Sequence, residues 1–230
     1  MNFMKSKLKR KQTKIEEIVN SISHGLMIPV SIWIFIIYYR LLIKKNYFHI
    51  YNILPLFLFT FTMLLLYIMS CLYHAFSFTR FRILLQKLDH VCIYLLIWGS
   101  FTPFLLVNIP VEQKMSFLFS HKSKIIFIIQ TFLVLFGILG ELFYFKNNKR
   151  IHLFLYFCLG WNGLICIKDL LSLSWIITFF LLLGGFIYSI GVFFYSKSSN
   201  YKYYHFIWHI FVILGNLSHI YAIYNFINIL

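Results

Sequence analysis

His205 and His209 stand four residues apart at the start of an otherwise apolar stretch, Tyr203 to Ile227. On a helix that spacing puts two imidazoles on one face, roughly 6 Å apart, where both can reach one metal ion. Two other apolar stretches carry polar residues of matching chemistry. Ser70 and His74 lie one turn apart at the end of one, and Asp89 opens the next. Three neutral imidazoles leave one position open on a tetrahedral zinc ion, the arrangement of a catalytic rather than a closed structural site. Zinc acidifies the water in that position, and a nearby carboxylate can orient the water or take its proton. A hydroxyl one turn before a ligand can hold a hydrogen bond behind it or stabilise a developing oxyanion. The expected set is therefore His74, His205 and His209 as ligands to Zn2+, with Asp89 and Ser70 as catalytic residues.

Each of these residues has an ordinary alternative. Asp89 could cap the start of a helix, Ser70 could bond the carbonyl four residues back, and the histidines could sit as polar tips at a membrane surface. What favours a shared site is depth, because stretches far apart in sequence bring all five residues to one end of their spans.

Those stretches define the fold class. The chain has 230 residues, of which 61% are hydrophobic and 12% charged, and the apolar residues come in long blocks. That leaves too little polar surface for a soluble domain and indicates an all-α, polytopic membrane protein. Seven spans are expected: His24 to Ile43, Tyr51 to His74, Leu88 to Val107, Ile125 to Phe145, Ile151 to Ile167, Trp175 to Tyr195, and Tyr203 to Ile227. Each has about the 17–25 residues that a hydrocarbon core of about 30 Å demands. Pro103 in the third can kink it, because neighbours re-satisfy the freed carbonyl. The basic N-terminus is followed by a stretch of full spanning length without an Ala-x-Ala site, so it reads as a retained first helix rather than a signal peptide. A basic tail, residues 1–15, precedes a single seven-helix membrane domain, residues 16–230.

The net charge of +15 does not point to nucleic acid, since the lysines and arginines cluster between apolar blocks, where they set topology and meet lipid headgroups. Fourteen of the 21 basic residues fall on the side of the N-terminus, among them Lys5, Lys7, Lys9, Arg10, Lys11, Lys14, Arg80, Arg82, Lys87, Lys146, Lys149 and Arg150. Seven fall on the other, including Lys114, Lys122 and Lys124. The excess places the N-terminus in the cytoplasm and the C-terminus outside. The polar set then faces the cytoplasm, and its substrates are expected to be membrane lipids.

Other polar residues are less distinctive. Glu17, Asn20, Ser21 and His24 share one helical face before the first span, either as headgroup-level polarity or as an outer shell to the same cavity. His219, deeper on the last span, reads as a hydrogen-bonded bundle histidine. His49, His90, His121 and His152 have no partner at useful spacing and read as interfacial; Glu141, Asn162 and Asp169 carry no assignment. The four cysteines, Cys71, Cys92, Cys158 and Cys166, show no disulfide or metal pattern and are expected to be small buried hydrophobes.

Three runs, Ser70-Cys-Leu-Tyr-His74, Leu88-Asp89-His-Val-Cys with Trp98-Gly-Ser100-Phe-Thr-Pro103, and His205-Phe-Ile-Trp-His209, together resemble hemolysin III. That family lies within the superfamily of progestin and adipoQ receptors. Glu16-Glu17-Ile-Val-Asn20-Ser21-Ile-Ser-His24-Gly25 and Gly185-Phe-Ile-Tyr-Ser-Ile-Gly191 extend the likeness over all seven spans. The resemblance implies a seven-helix bundle with a cytoplasmic N-terminus and zinc near the inner face, held by His74, His205 and His209 beside Asp89 and Ser70. Ceramidase-like members of the superfamily imply hydrolysis of a lipid amide, and the clustered ligands with an acid suit a lipid ester as well. The hemolysin name implies lysis of red cells, hence a pore-forming cytolysin as one alternative, and a receptor or lipid-homeostasis regulator with structural zinc is a second.

Overall fold

The computed structural model describes residues 10–107, 121–144 and 149–230. Of the residues singled out above, Lys5, Lys7, Lys9, Lys114, Phe145 and Lys146 lie outside these, as do the side chains of His121, Lys122 and Lys149. Among the described residues there is no strand. The helices are α1 (Lys14–Gly25), α2 (Met27–Lys44), α3 (Ile50–Ala75), α4 (Arg82–Leu106), α5 (His121–Leu139), α6 (Lys149–Trp161), α7 (Ile167–Leu173), α8 (Trp175–Lys197) and α9 (Tyr204–Ile229). A π turn, Gly140–Tyr144, prolongs α5, and a 3₁₀ turn, Asn162–Cys166, links α6 to α7. Seven segments are long and apolar enough to cross a membrane: α1 with α2, then α3, α4, α5, α6 with α7, α8 and α9. Large apolar side chains such as Trp33, Phe132 and Trp175 are exposed on the outside of the bundle, as lipid contact requires.

The first span is broken where the sequence demands it. Pro29 has no N–H to bond the Gly25 carbonyl, so the helix interrupts at Leu26 and resumes as α2. The polar segment α1 thereby becomes a separate short helix packed against α3 and α9. It starts at a full capping box: the Thr13 hydroxyl accepts from the Glu16 N–H, and the Glu16 carboxylate accepts from the Thr13 N–H. Both terminal guanidinium nitrogens of Arg10 reach Glu16 at 2.6 Å, and Glu16 also accepts from the Tyr203 N–H at 2.9 Å. Tyr203 has a positive φ of 61°, so the last helix begins one residue later than expected, at Tyr204.

The core pairs are α3 with α4 and α8 with α9. Pro103 in α4 leaves the Gly99 carbonyl without its helical donor, and the Thr102 hydroxyl supplies one at 2.8 Å while also reaching Pro55 O at 2.7 Å. Gly99 is required at this crossing, because a Cβ there would stand 2.0 Å from Thr62 Oγ1. Of the four cysteines, Cys92 and Cys166 are buried, Cys71 is intermediate and Cys158 is exposed on the lipid-facing side, so burial does not describe them all.

These contacts generate a stability prediction. Gly99→Ala overpacks the α3–α4 crossing and is expected to destabilise the bundle by about 1–3 kcal/mol, read as a lower melting temperature in lipid nanodiscs. Gly160→Ala, where a Cβ would meet nothing within 4 Å, is expected to leave it unchanged.

Candidate metal centre

The end of the bundle that carries Arg10 also holds the start of α1, the end of α3 and the starts of α4, α6 and α9. His74 lies on the last turn of α3, and His205 and His209 on the first turns of α9. Their ligating nitrogens all fall within 4.8 Å of one another. His74 Nε2 and His205 Nε2 are 3.1 Å apart, close to the roughly 3.3 Å separation that two imidazoles show on one tetrahedral ion with bonds of about 2.0–2.1 Å. His74 and His209 are almost wholly buried, at 1% exposure each, so whatever occupies the space between them is shielded from bulk water.

The polar face of α1 orients these rings. Glu17, itself buried, accepts from His74 Nδ1 at 2.6 Å. That hydrogen bond commits Nδ1 as a donor and turns the Nε2 lone pair inward, the carboxylate–histidine arrangement common behind metal ligands. His209 Nδ1 donates to the Asn20 carbonyl at 3.2 Å and lies 2.9 Å from the Ser23 hydroxyl, so its Nε2 likewise faces the other two rings. His24 stacks on His209, with centroids 3.7 Å apart and planes 9° from parallel. The outer-shell reading of Glu17, Asn20 and His24 is thus the one the geometry supports. Ser21 turns instead to Cys71, donating to its carbonyl at 3.0 Å.

Asp89 is buried seven residues into α4, which begins at Arg82 rather than Leu88. It cannot be a helix cap; it is buried on α4, and it lines the same cavity as the buried Ser70 of α3. Asp89 and Ser70 stand beside the three imidazoles without joining the group of convergent ligand atoms. All of these except His74 line a cavity of about 170 Å³, which runs from the histidines into the bundle among apolar side chains such as Leu66, Phe104 and Val212.

The sequence model of the family described as Haemolysin-III related matches residues 12–220 of this chain. The chain belongs to that family. A hemolysin-3 homolog of Bacillus subtilis (strain 168) is 34% identical over 204 residues, covering 88% of this chain and 90% of its own. Hemolysin-3 of Bacillus cereus is 33% identical over 203 residues, 87% of each chain. The monocyte to macrophage differentiation factor of Homo sapiens is 26% identical over 167 residues, 70% of this chain and 66% of its own, which accords with the wider superfamily. Membership and the seven apolar helices make this an integral, multi-pass membrane protein.

Two readings of single residues change. His90 and His152 are not solitary interfacial residues: each faces the carboxylate of Glu141, at 3.0 and 2.7 Å. Spacing could not reveal this, because the three residues come from α4, the π turn and α6. His219 is hydrogen-bonded as expected, its Nε2 donating to Leu181 O at 3.3 Å.

The buttress on His74 is testable without any substrate. If the triad holds a divalent metal, Glu17→Gln is expected to weaken its binding about 10–100-fold in competition with a chromogenic chelator, while Glu16→Gln, whose carboxylate meets Arg10 and Tyr203 instead, leaves the affinity unchanged.

Proposed function

We propose that this protein is a zinc-dependent hydrolase of membrane lipid amides or esters, acting at the cytoplasmic end of its bundle. The observation that carries the reading is three imidazoles converging beside an acid and a hydroxyl at the mouth of an apolar cavity. A zinc ion held by His74, His205 and His209 would acidify a bound water and polarise the substrate carbonyl. The residues around it have separable tasks. Asp89 takes the proton of the attacking water, and Ser70, which lines the same cavity, stabilises the developing oxyanion. Glu17 and Asn20 hold the imidazoles in the productive tautomer. The apolar walls take the acyl chain and exclude water, which strengthens each of these interactions.

The names of the Bacillus relatives support a second reading, a pore-forming cytolysin. A buried polar site inside seven apolar helices suits a resident membrane enzyme better, because nothing in it is needed to open a pore. A lipid-regulating protein with structural zinc is the third reading, and it predicts metal-dependent stability without turnover.

The three separate in one experiment on the protein in nanodiscs, using mass spectrometry of released fatty acid. Zinc-loaded protein is expected to release fatty acid from a long-chain N-acyl amide or ester, and Asp89→Asn to lose about 100-fold or more of that rate while retaining its zinc. Equal rates in wild type and Asp89→Asn exclude the hydrolase. Loss of melting temperature on zinc removal, with no turnover before it, favours structural zinc; erythrocyte lysis above that of an unrelated seven-helix protein in the same detergent favours the cytolysin.

A further inference from the structure

A second polar array lies beside the triad on elements that the triad does not use. Glu141 sits in the π turn after α5, and its two oxygens face two imidazoles, His90 Nδ1 of α4 at 3.0 Å and His152 Nε2 of α6 at 2.7 Å. The other nitrogen of each ring meets a tyrosine hydroxyl. Tyr195 is 3.3 Å from His90 Nε2, and Tyr94 is 2.8 Å from His152 Nδ1. A single π turn re-phases a helix by about one residue and recurs at functional sites; here it points a carboxylate between two neighbouring helices.

The two ends of the array lie in different surroundings, although His152 is itself buried. His90 lines the cavity that His205 and His209 also line. His152 is on the first turn of α6, at the end of the bundle where the Lys87 ammonium donates to Leu142 O at 3.1 Å. An imidazole can take a proton on one nitrogen and release it from the other, and a carboxylate between two imidazoles can receive from either. Groups set in series at 2.7–3.3 Å can form a path as well as a brace, the His152 Nε2–Glu141 link being a close approach that a small turn of the ring converts to a hydrogen bond.

The proposed chemistry needs such a path. Hydrolysis of an ester consumes one water and yields a carboxylate, an alcohol and one proton. In hydrolysis of an alkyl amide the leaving amine carries that proton away. An apolar cavity offers a free proton no solvent. We propose that His90, Glu141 and His152 carry the proton released in the cavity to the cytoplasmic end of the bundle. The proposal rests on the hydrolase reading above. The titratable and charged groups that face the array are Lys87, Asp89 and Tyr94 from α4, Tyr156 from α6 and Tyr195 from α8. Tyr156 also anchors it, donating to the His90 carbonyl at 3.0 Å.

Glu141→Gln preserves the size of the side chain and removes its ability to carry a proton. With ethyl octanoate and N-ethyloctanamide as probes, the variant is expected to lose at least about tenfold of the ester rate and far less of the amide rate. A diffusible imidazole buffer is expected to restore the ester rate, which it would not do for a brace. Zinc alone gives an independent readout, since loading three imidazoles and a water displaces protons. The infrared difference between zinc-loaded and zinc-free protein is expected to contain a carboxyl band that disappears in Glu141→Gln and persists in Asp89→Asn. His152→Gln, a second variant should Glu141→Gln not fold, is expected to show the same ester loss, the same rescue and a shifted band. Identical zinc-induced spectra in wild type and Glu141→Gln overturn the proposal whether or not the probes are cleaved. The band without any cleavage by wild type would sink the hydrolase reading and leave the proton coupling standing.

Discussion

A carboxylate buried among apolar helices must be answered by a donor, and Glu17 is answered by His74. The contact is 2.6 Å long and both side chains are almost wholly buried, so neither can turn away without leaving an unpaired polar group in a poorly solvated interior. Much follows from satisfying it. The short helix α1 must lie against the end of α3, which requires the break at Leu26, and α9 must start where Asn20 and Ser23 can meet His209. Once His74 is committed to Glu17 on one edge, its other nitrogen faces His205 at 3.1 Å. Two inward-facing imidazoles at that separation, with a third beside them, form a donor set suited to a cation.

The sequence carried a good part of this. Seven spans, the three histidines and the neighbouring Ser70 and Asp89 could be read from apolar block length and from the end of each block on which a polar residue fell. Depth is legible in this way because every residue along a membrane helix advances it by about 1.5 Å. Rotation of one helix against another is not. Glu17, Asn20 and His24 could be assigned to one face of a helix, yet nothing in that periodicity said that the face turns toward His74 and His209. Asp89 looked like a helix start because Leu88 begins the apolar run, while the helix itself extends back to Arg82 on residues that suit a membrane surface. Glu141 was the least legible. Its neighbours His90 and His152 are distant in sequence, and the π turn that aims it shifts the helical phase on which any face assignment depends.

Around the histidines the bundle is differentiated into three regions with distinct physical roles. The face of α1 is polar and buttresses the ligands from behind. The cavity is apolar and provides room for an acyl chain within a shielded volume. The array of His90, Glu141 and His152 is polar again, and runs from the cavity wall to the first turn of α6. A ligand held at the junction of the three would meet three imidazoles, an apolar sleeve and a second polar array together.

The central claim is that His74, His205 and His209 bind one zinc ion through their imidazole nitrogens. X-ray absorption at the zinc edge of the purified, zinc-loaded protein tests it most directly. The account predicts one zinc per chain with a shell of three imidazole nitrogens at about 2.0–2.1 Å and one further light atom, lost in the His205→Ala/His209→Ala double variant. Substoichiometric zinc, a sulfur shell from Cys71, or a spectrum unchanged in the double variant would contradict it.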